Sequence, residues 1–451
     1  MQWVRILSRV SSARAAGSSA CAKTGCPLPF LEDHDRVGRI APLEKADIAK
    51  GTKLPSGRQR LASFRPAGLL LLFLATPRIA LAAAPITDRN YVIDAYRGAA
   101  VADYRVIGMG GVSLATAEGA LGLLANPAAA ASRPSTASSW FYWDFLLDAY
   151  TPGLGVDYDN NGTPQDRFNG TTGALNAGLV GMFGAWGVAV SVTGELRDFT
   201  LSGGTEAALS AAIWRLTLAR SFADGEWVAG ANVVGGGFNL RLPGSGVELV
   251  NAGDWSIEAG GLWRPRESNL RVGVSFRPAM KPRIDPTACD PNNCVGYILP
   301  ERVEFPWTAG AGVALRFGPT PWNRRVSDEF RDESSTILAA DLIVSGPVAS
   351  GAGLEAFLQK QLQPSGRHGS ISLRLGAEYE WIPGWLRIRG GSYWEPPRFQ
   401  DVTGRLHLTL GLDVRFWSFS LWGSQYRMRV SLGADGARQY GNTVLSLGFW
   451  H

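Results

Sequence analysis

Residues 405–416 read RLHLTLGLDVRF, and position alone sorts their side chains into two classes. Leu406, Leu408, Leu410, Leu412, Val414 and Phe416 alternate with Arg405, His407, Thr409, Gly411, Asp413 and Arg415. Successive side chains of a strand point to opposite faces, so this stretch is a strand with one apolar and one charged surface. Residues 370–381, SISLRLGAEYEW, repeat it. Ile371, Leu373, Leu375, Ala377, Tyr379 and Trp381 stand opposite Ser372, Arg374, Gly376, Glu378 and Glu380.

The same style runs from Ala137 to the C-terminus. Alternating segments lie at 137–146, 173–183, 186–200, 207–221, 226–241, 252–265, 270–283, 301–317, 336–346, 369–382, 385–397, 404–417, 418–432 and 441–450. They follow one another as a meander, with turn residues between them. Fourteen strands is an even number, so a closed barrel returns both of its ends to one side. The connections at 184–185, 222–225, 266–269 and 383–384 are short and belong to that side, while 147–172 and 284–300 are long and belong to the other. The long connection 318–335 is the one that fits poorly.

Composition agrees with a β-rich chain that faces a membrane. Among 451 residues there are 55 Gly and 16 Trp, and only 18% are charged. Residues 58–85, RQRLASFRPAGLLLLFLATPRIALAAAP, carry a basic flank, an apolar run from Ala67 to Ala75 and small residues at Ala80 and Ala82. That is the layout of a secretory signal peptide cleaved after Ala82, and the run is too short for a membrane-spanning helix, which needs about 20 residues. The expected division is therefore a leader at 1–82, an N-terminal segment at 83–135 and the β-region at 136–451. The leader holds 13 basic and 5 acidic residues, leaving 31 basic against 34 acidic in the rest. The formal net charge of +5 thus belongs to the leader, and no nucleic-acid footprint survives its removal.

An exported chain of long alternating strands resolves the choice between a soluble sandwich and a membrane barrel. In the barrel the apolar faces meet lipid, the charged faces line a lumen, and closure satisfies every amide. The fold class expected is an all-β transmembrane antiparallel barrel of about 14 strands. Arg374, Arg387, Arg389, Arg415, Arg427 and Arg429 then face the lumen with Glu378, Glu380, Glu395 and Asp413 as partners. Trp381, Trp385, Trp394, Phe416 and Trp417 fall near segment ends, where interfacial girdles sit. Cys289 and Cys294, in DPTACDPNNCVGY, are the only cysteines after the leader and suit a local disulfide in an oxidising compartment.

Tyr104–Ala131 reads YRVIGMGGVSLATAEGALGLLANPAAAA, with Gly108, Gly110 and Gly111 after an apolar run. A dinucleotide turn requires a following helix and an acid about 20 residues on, and LLANPAAAA supplies no acid. The segment instead resembles the start of the outer-membrane long-chain fatty acid transporter family (FadL/TodX-type), which includes PorV-like barrels. The matching residues are Ile107-Gly108-Met109-Gly110-Gly111-Val112, Ala115 and Asn126-Pro127-Ala128, with a second echo in Leu386–Phe399, LRIRGGSYWEPPRF. The resemblance is close over about 30 residues and architectural elsewhere. It implies an N-terminal plug inside the barrel, with Gly108, Met109, Gly110, Gly111, Asn126, Pro127 and Ala128 in the gating part. It also implies a passive channel in the outer membrane of a Gram-negative bacterium that takes up hydrophobic small molecules such as long-chain fatty acids. Expected partners are that ligand, outer-membrane lipid and lipopolysaccharide, and the barrel assembly machinery. The alternative is a PorV-like accessory barrel that binds secreted proteins. No enzyme is expected, because no Ser or Asp stands out beside His368, His407 or His451. No cofactor is expected either, apart from a Ca2+ site in DYDNNGTPQD, where Asp157, Asp159, Asn161 and Asp166 surround Gly162.

Overall fold

The computed structural model describes residues 84–96 and 103–451, except 136, 138, 153–156, 158, 163–171, 202–203, 285–288, 326–329, 401 and 422–423. The leader and Asp166 lie outside the described residues. Two short strands, β1 (Ala84–Pro85) and β2 (Val92–Asp94), open the chain. β3 (Phe141–Pro152), β4 (Thr172–Phe183), β5 (Trp186–Thr200), β6 (Glu206–Phe222), β7 (Trp227–Leu242), β8 (Val247–Trp263) and β9 (Leu270–Arg277) follow. After them come β10 (Arg302–Glu304), β11 (Thr308–Phe317), β12 (Thr336–Ser345), β13 (Gly351–Ala352) and β14 (Gln361–Leu362). The last are β15 (Ser370–Ile382), β16 (Leu386–Glu395), β17 (Arg405–Leu421), β18 (Ser424–Ala437) and β19 (Tyr440–Phe449).

Fourteen of these, β3–β9, β11, β12 and β15–β19, form one closed antiparallel barrel, sealed where β19 pairs with β3. The five others lie among the long connections and the N-terminal segment. β2 sits between β10 and β13, and β1 pairs with β14.

The alternation is the one that the leucines of 405–416 demand. Leu408 and Leu410 are 67% and 70% exposed on the outer face, while His407, Thr409 and Asp413 are buried within. Exposed aliphatic side chains continue around the wall, as at Leu216 and Leu218, Val188 and Val190, and Leu373 and Leu375. At the short-turn end they give way to aromatics on adjacent strands: Phe183, Trp186, Phe222, Trp227, Phe317, Trp381, Trp385 and Trp417. From Leu406 to Phe416 the outer face is unbroken, about 25 Å of apolar height once strand tilt is allowed for. No helix among the described residues is long and apolar enough to cross a membrane.

Several strand boundaries depart from the expectation, among them the start of β8 at Val247, the end of β9 at Arg277 and the end of β18 at Ala437, and three departures have a visible cause. The first barrel strand is Phe141–Pro152 rather than 137–146, because Tyr142 and Leu146 face inward and blur the polar face. The break expected at Trp417 is absent. The β17–β18 ladder shifts register between Arg415 and Trp417, which places neighbouring residues on one face and mimics a strand end. The 301–317 segment divides at Phe305-Pro306-Trp307. There β10 leaves the wall to pair in parallel with β2, and Pro306 has no amide to offer a ladder.

Inside the barrel, Asp103–Ser132 runs from mid-wall, where Tyr104 meets Asp148 and Asp413, to the short-turn end, where Ser132 meets Arg264. Helix α1 (Tyr104–Gly108) is capped by Asp103, whose carboxylate accepts from Val106 N at 3.0 Å. Two 3-10 turns follow, Gly119–Gly122 and Pro127–Ala131, the second capped by Asn126. All of these residues are buried, and their backbone lies directly on wall glycines. A Cβ on Gly187, Gly273 or Gly376 would come within 1.8, 2.1 or 2.2 Å of the carbonyl oxygens of Ala130, Leu114 and Met109. Only glycine permits that approach.

Candidate functional site: a two-storey lumen

The inward face changes character along the barrel axis. Toward the long loops, the inward residues of β6–β8 are mainly apolar: Leu209, Ile213, Val234, Phe238 and Leu240 are buried with Phe199 of β5, beside the buried β5 ion pair Arg197–Glu195. They form one cluster with Met280, Tyr297, Val303 and Phe305 of the β9–β11 connection, with Tyr91 and Ile93, and with Phe357 of helix α2 (Leu354–Leu358). Here the alternation is inverted, with apolar residues inward and Ser210, Asn239, Arg241 and Asn251 on the other face. The sequence carries a signal for it: Ala207, Leu209, Ala211 and Ile213 occupy inward positions of β6 before Arg215 and Thr217 restore polarity.

Below that level the lumen is ionic. Arg389, with no exposed side-chain surface, makes a bidentate pair with Asp413 at 2.6 Å and 2.6 Å and donates to Glu378 at 2.6 Å. Arg387 bridges Glu378 and Glu380 at 3.7 Å and 3.1 Å. The N-terminal segment joins this network through Arg105, 3.1 Å from Glu378, and through the Tyr104 hydroxyl, which donates to Asp413 at 3.1 Å. Sequence inspection identified the wall charges but missed Tyr104 and Arg105, which precede the glycine motif.

The other lumen assignments divide. Arg374 donates to Gly111 O at 2.9 Å, and Arg429 to Phe449 O at 2.8 Å. Glu395 accepts from Arg405, and lies 2.7 Å from His407, whose other nitrogen is 2.8 Å from Asp435. Arg427 pairs with Asp332 at the short-turn end. Arg415 does not belong to the lumen network. It stacks 3.9 Å over the Trp385 ring at the rim, displaced there by the register shift beside it.

The seven motif residues come together against β15–β17 and β7–β8. Gly110 and Gly111 have φ of +65° and +77°, and Gly110 N donates to Thr409 Oγ1 at 2.7 Å. Buried Met109 and Gly108 flank them. Asn126 Nδ2 donates to Leu114 O at 3.2 Å and Gly261 O at 3.1 Å, while its oxygen accepts from Ala128 N at 3.1 Å. Pro127 O lies against Gly230.

Between the storeys is a cavity of about 180 Å3 lined by Val106, Leu114, Ile213 and Phe305 and by Arg215, Glu258, Arg277 and Arg374. It lies beside an incomplete seam. β8 pairs with β9 only from Ala259 to Trp263, and its outer half, from Val247 onward, pairs with β7 alone. Across that half the wall is closed by the β9–β11 connection, where Met280 bridges Phe305 and Lys281 N donates to Asp254 at 2.8 Å.

The long-loop end is tied down by Cys289–Cys294, which are disulfide-bonded, and by the turn at residue 157. Both carboxylate oxygens of Asp157 accept backbone amides, from Asn161 and Gly162, at 2.9 Å each. Asn161 Nδ2 donates to Glu355 at 2.6 Å. Asp157 and Asn161 are thus engaged in the turn itself, and no group of three or more acid, His or Cys side chains able to hold a metal exists among the described residues. Asp159 keeps a buried oxygen without a partner.

Burial, reinforced by Glu355 and Asp157, raises the Asp159 pKa well above the ordinary carboxylate value. A carboxyl with a raised folded pKa binds its proton more tightly in the native state. Stability is therefore greatest at low pH and declines as pH rises from the unfolded value through the folded one. Asp159→Asn is expected to raise the melting temperature by a few degrees at neutral pH and to flatten its pH dependence. Thermal unfolding across an acid-to-neutral series tests this, and an unchanged slope opposes it.

Similar solved structures include a Pseudomonas aeruginosa FadL homologue: 13% identity, 77% of this chain and 98% of that one covered, TM-score 0.49. The P. putida toluene transporter TodX is 14% identical, over 78% of this chain and 99% of that one, with TM-score 0.49. The CymD monoaromatic hydrocarbon channel is 14% identical, over 79% and 97%, with TM-score 0.46. No protein-family model and no curated protein matches the sequence. The fold is stated by the chain's own geometry: a closed fourteen-stranded antiparallel β-barrel with an apolar exterior of membrane height and a charged interior.

Proposed function

We propose that the protein is a passive outer-membrane channel for hydrophobic small molecules, with Asp103–Ser132 as its plug. One observation carries the reading: a cavity lined by both Ile213, Phe305 and Leu114 and by Arg215, Glu258, Arg277 and Arg374 lies under an apolar cluster, above an ionic network and beside an incomplete seam. An apolar molecule gains about 0.8 kcal/mol per CH2 on leaving water for the chamber, and it gains nothing by entering the Arg387–Arg389–Asp413 network. Its favourable route is sideways, past Ile213 and Phe305 and through the outer half of β8 into lipid. A dry cavity of about 150 Å3 accommodates benzene, so the space present here suits a cargo the size of one aromatic ring. Motion of the β9–β11 connection would enlarge it for a longer chain.

Gly110 and Gly111 supply the left-handed backbone that lets the plug turn against β15–β17 without a side chain. Tyr104 and Arg105 latch it to Asp413 and Glu378, so plug displacement and ionic rearrangement are one event.

The test is flux. Ile213→Arg puts a charge into the apolar path from a wall strand that still pairs normally. Uptake of labelled toluene or laurate into reconstituted vesicles is expected to fall at least about tenfold, on the ground that an unpaired charge in an apolar site is strongly disfavoured. The heat-modifiable band of the folded barrel should remain. Unchanged flux would exclude this path. A secreted protein co-purifying with the barrel, in place of any apolar ligand, would favour the accessory-barrel alternative.

A further inference from the structure

Among the described residues lining one cleft at the short-turn mouth, the guanidinium groups outnumber the carboxylates. Arg264, in the turn after β8, is buried and bonded only to neutral groups. Its Nε donates to Gly225 O at 2.6 Å, and its Nη1 to Ser132 Oγ and Arg133 O at 3.1 Å each. A side-chain carbon built on Gly225 would lie 3.1 Å from Arg264 Nη2 and 3.4 Å from Arg325 Nη2, so two cations converge on one point. Arg325 is exposed and has neither a hydrogen bond nor an ion pair among the described residues.

Arg271, 2% exposed, is the third member. Its Nε donates to Asn323 Oδ1 at 2.8 Å, and its guanidinium stacks 3.8 Å over Trp322. Its Nη1 makes no hydrogen bond and has only Glu118, at 3.5 Å. Arg133 donates solely to the carbonyls of Ser139, Trp140 and Met182.

The cleft bounded by Arg133, Arg264, Arg271 and Arg325 shares Arg271 and Trp322 with an adjoining cavity of about 80 Å3. Arg266 completes the basic set and is engaged by Asp224 and Glu226. Among the described residues, and with Glu118 as the third acid, five arginines face three carboxylates, an excess of two positive charges. Burial, with the like charge of Arg271 next in weight, pushes Arg264 down to about 10. A guanidinium out of water with neutral partners is unfavourable unless an anion joins it, and its planar fork matches oxyanion geometry.

We propose that this mouth binds a phosphate-class dianion between Arg264, Arg271 and Arg325. A dianion matches the charge excess, which a single carboxylate would leave half uncompensated. The site joins three parts of the chain: the exit of the N-terminal segment at Ser132–Arg133, the β8–β9 turn, and the connection that carries Trp322 and Arg325. It also accounts for the length of the 318–335 connection on the side of short turns, since that connection supplies the aromatic floor and the outermost cation.

The full chain, purified in detergent, is titrated calorimetrically with inorganic phosphate at low ionic strength. Saturable one-to-one binding tighter than about 1 mM is expected. Arg264→Gln and Arg325→Gln should each weaken it at least about tenfold, and added sodium chloride should weaken it further. Arg325 is exposed, so its variant reports on binding in a folded barrel even if the buried change perturbs folding. Glycerol phosphate, a soluble headgroup analogue, separates the sources. Binding tighter than inorganic phosphate assigns a lipid headgroup, and equal or weaker binding assigns the free ion. Absence of saturable phosphate binding to the folded wild-type barrel overturns the proposal, as does equal affinity in both variants.

Discussion

Asp413→Ala is expected to lower folding stability by about 3–5 kcal/mol, the cost of leaving a buried charge without its partner. Arg389 loses both of its short bonds to Asp413 and is left with Glu378, which Arg105 and Arg387 also approach. The Tyr104 hydroxyl loses its acceptor in the same change, so the N-terminal segment should loosen together with the wall. Urea unfolding in lipid vesicles measures the loss. The double variant Asp413→Ala/Arg389→Met distinguishes a lost partner from a lost shape. Replacing both members of a buried pair by apolar groups is often close to neutral, so most of the stability should return. If the double variant is as unstable as the single one, the pair is not the source.

Leu410→Arg examines the opposite face. Leu410 stands in the middle of the outer surface of β17, between Leu408 and Leu412, and pairs across the ladders with Gly390 and Ala434. A charge on the lipid face near mid-depth destabilises a membrane barrel by about 2–4 kcal/mol, whereas the same charge near an interface has little effect. Vesicle unfolding should show that loss for Leu410→Arg and much less for Phe416→Arg at the edge of the apolar band. If the two variants behave alike, the outer face is not a lipid face. The same arginine would be tolerated on a water-exposed face, so the comparison tests the orientation of the whole wall.

Much of the wall was legible because its signal is periodic. RLHLTLGLDVRF fixes both which face is apolar and where Asp413 points, and the paired strands repeat that information. Periodicity misleads where the polarity of the two faces inverts. In the upper halves of β6–β8 Leu209, Ile213 and Phe238 point inward while Ser210, Asn239 and Asn251 point outward, so alternation alone does not say which face is lipid-facing. It also fails where the count slips by one: at the β17–β18 register shift, a rim residue, Arg415, looked like a lumen charge. The glycine motif was recognisable as a string, but its purpose was not. Whether Gly110 turns around a phosphate or against a wall depends on Thr409 and Gly391, almost three hundred residues away. The mouth arginines are scattered through turns with no period, and only closure of the barrel assembles them.

The wall glycines that meet the N-terminal segment have a consequence for biogenesis. At Gly187, Gly273 and Gly376 main chain rests on main chain, leaving no clearance for anything bulkier to slide past. So close a fit favours a sheet that rolls up around the segment over threading the segment into a finished cylinder. The order of the chain favours this, since the segment directly precedes β3, the strand that meets β19 when the circle closes. On that order of events Asp103–Ser132 would be the mandrel on which the wall is wound.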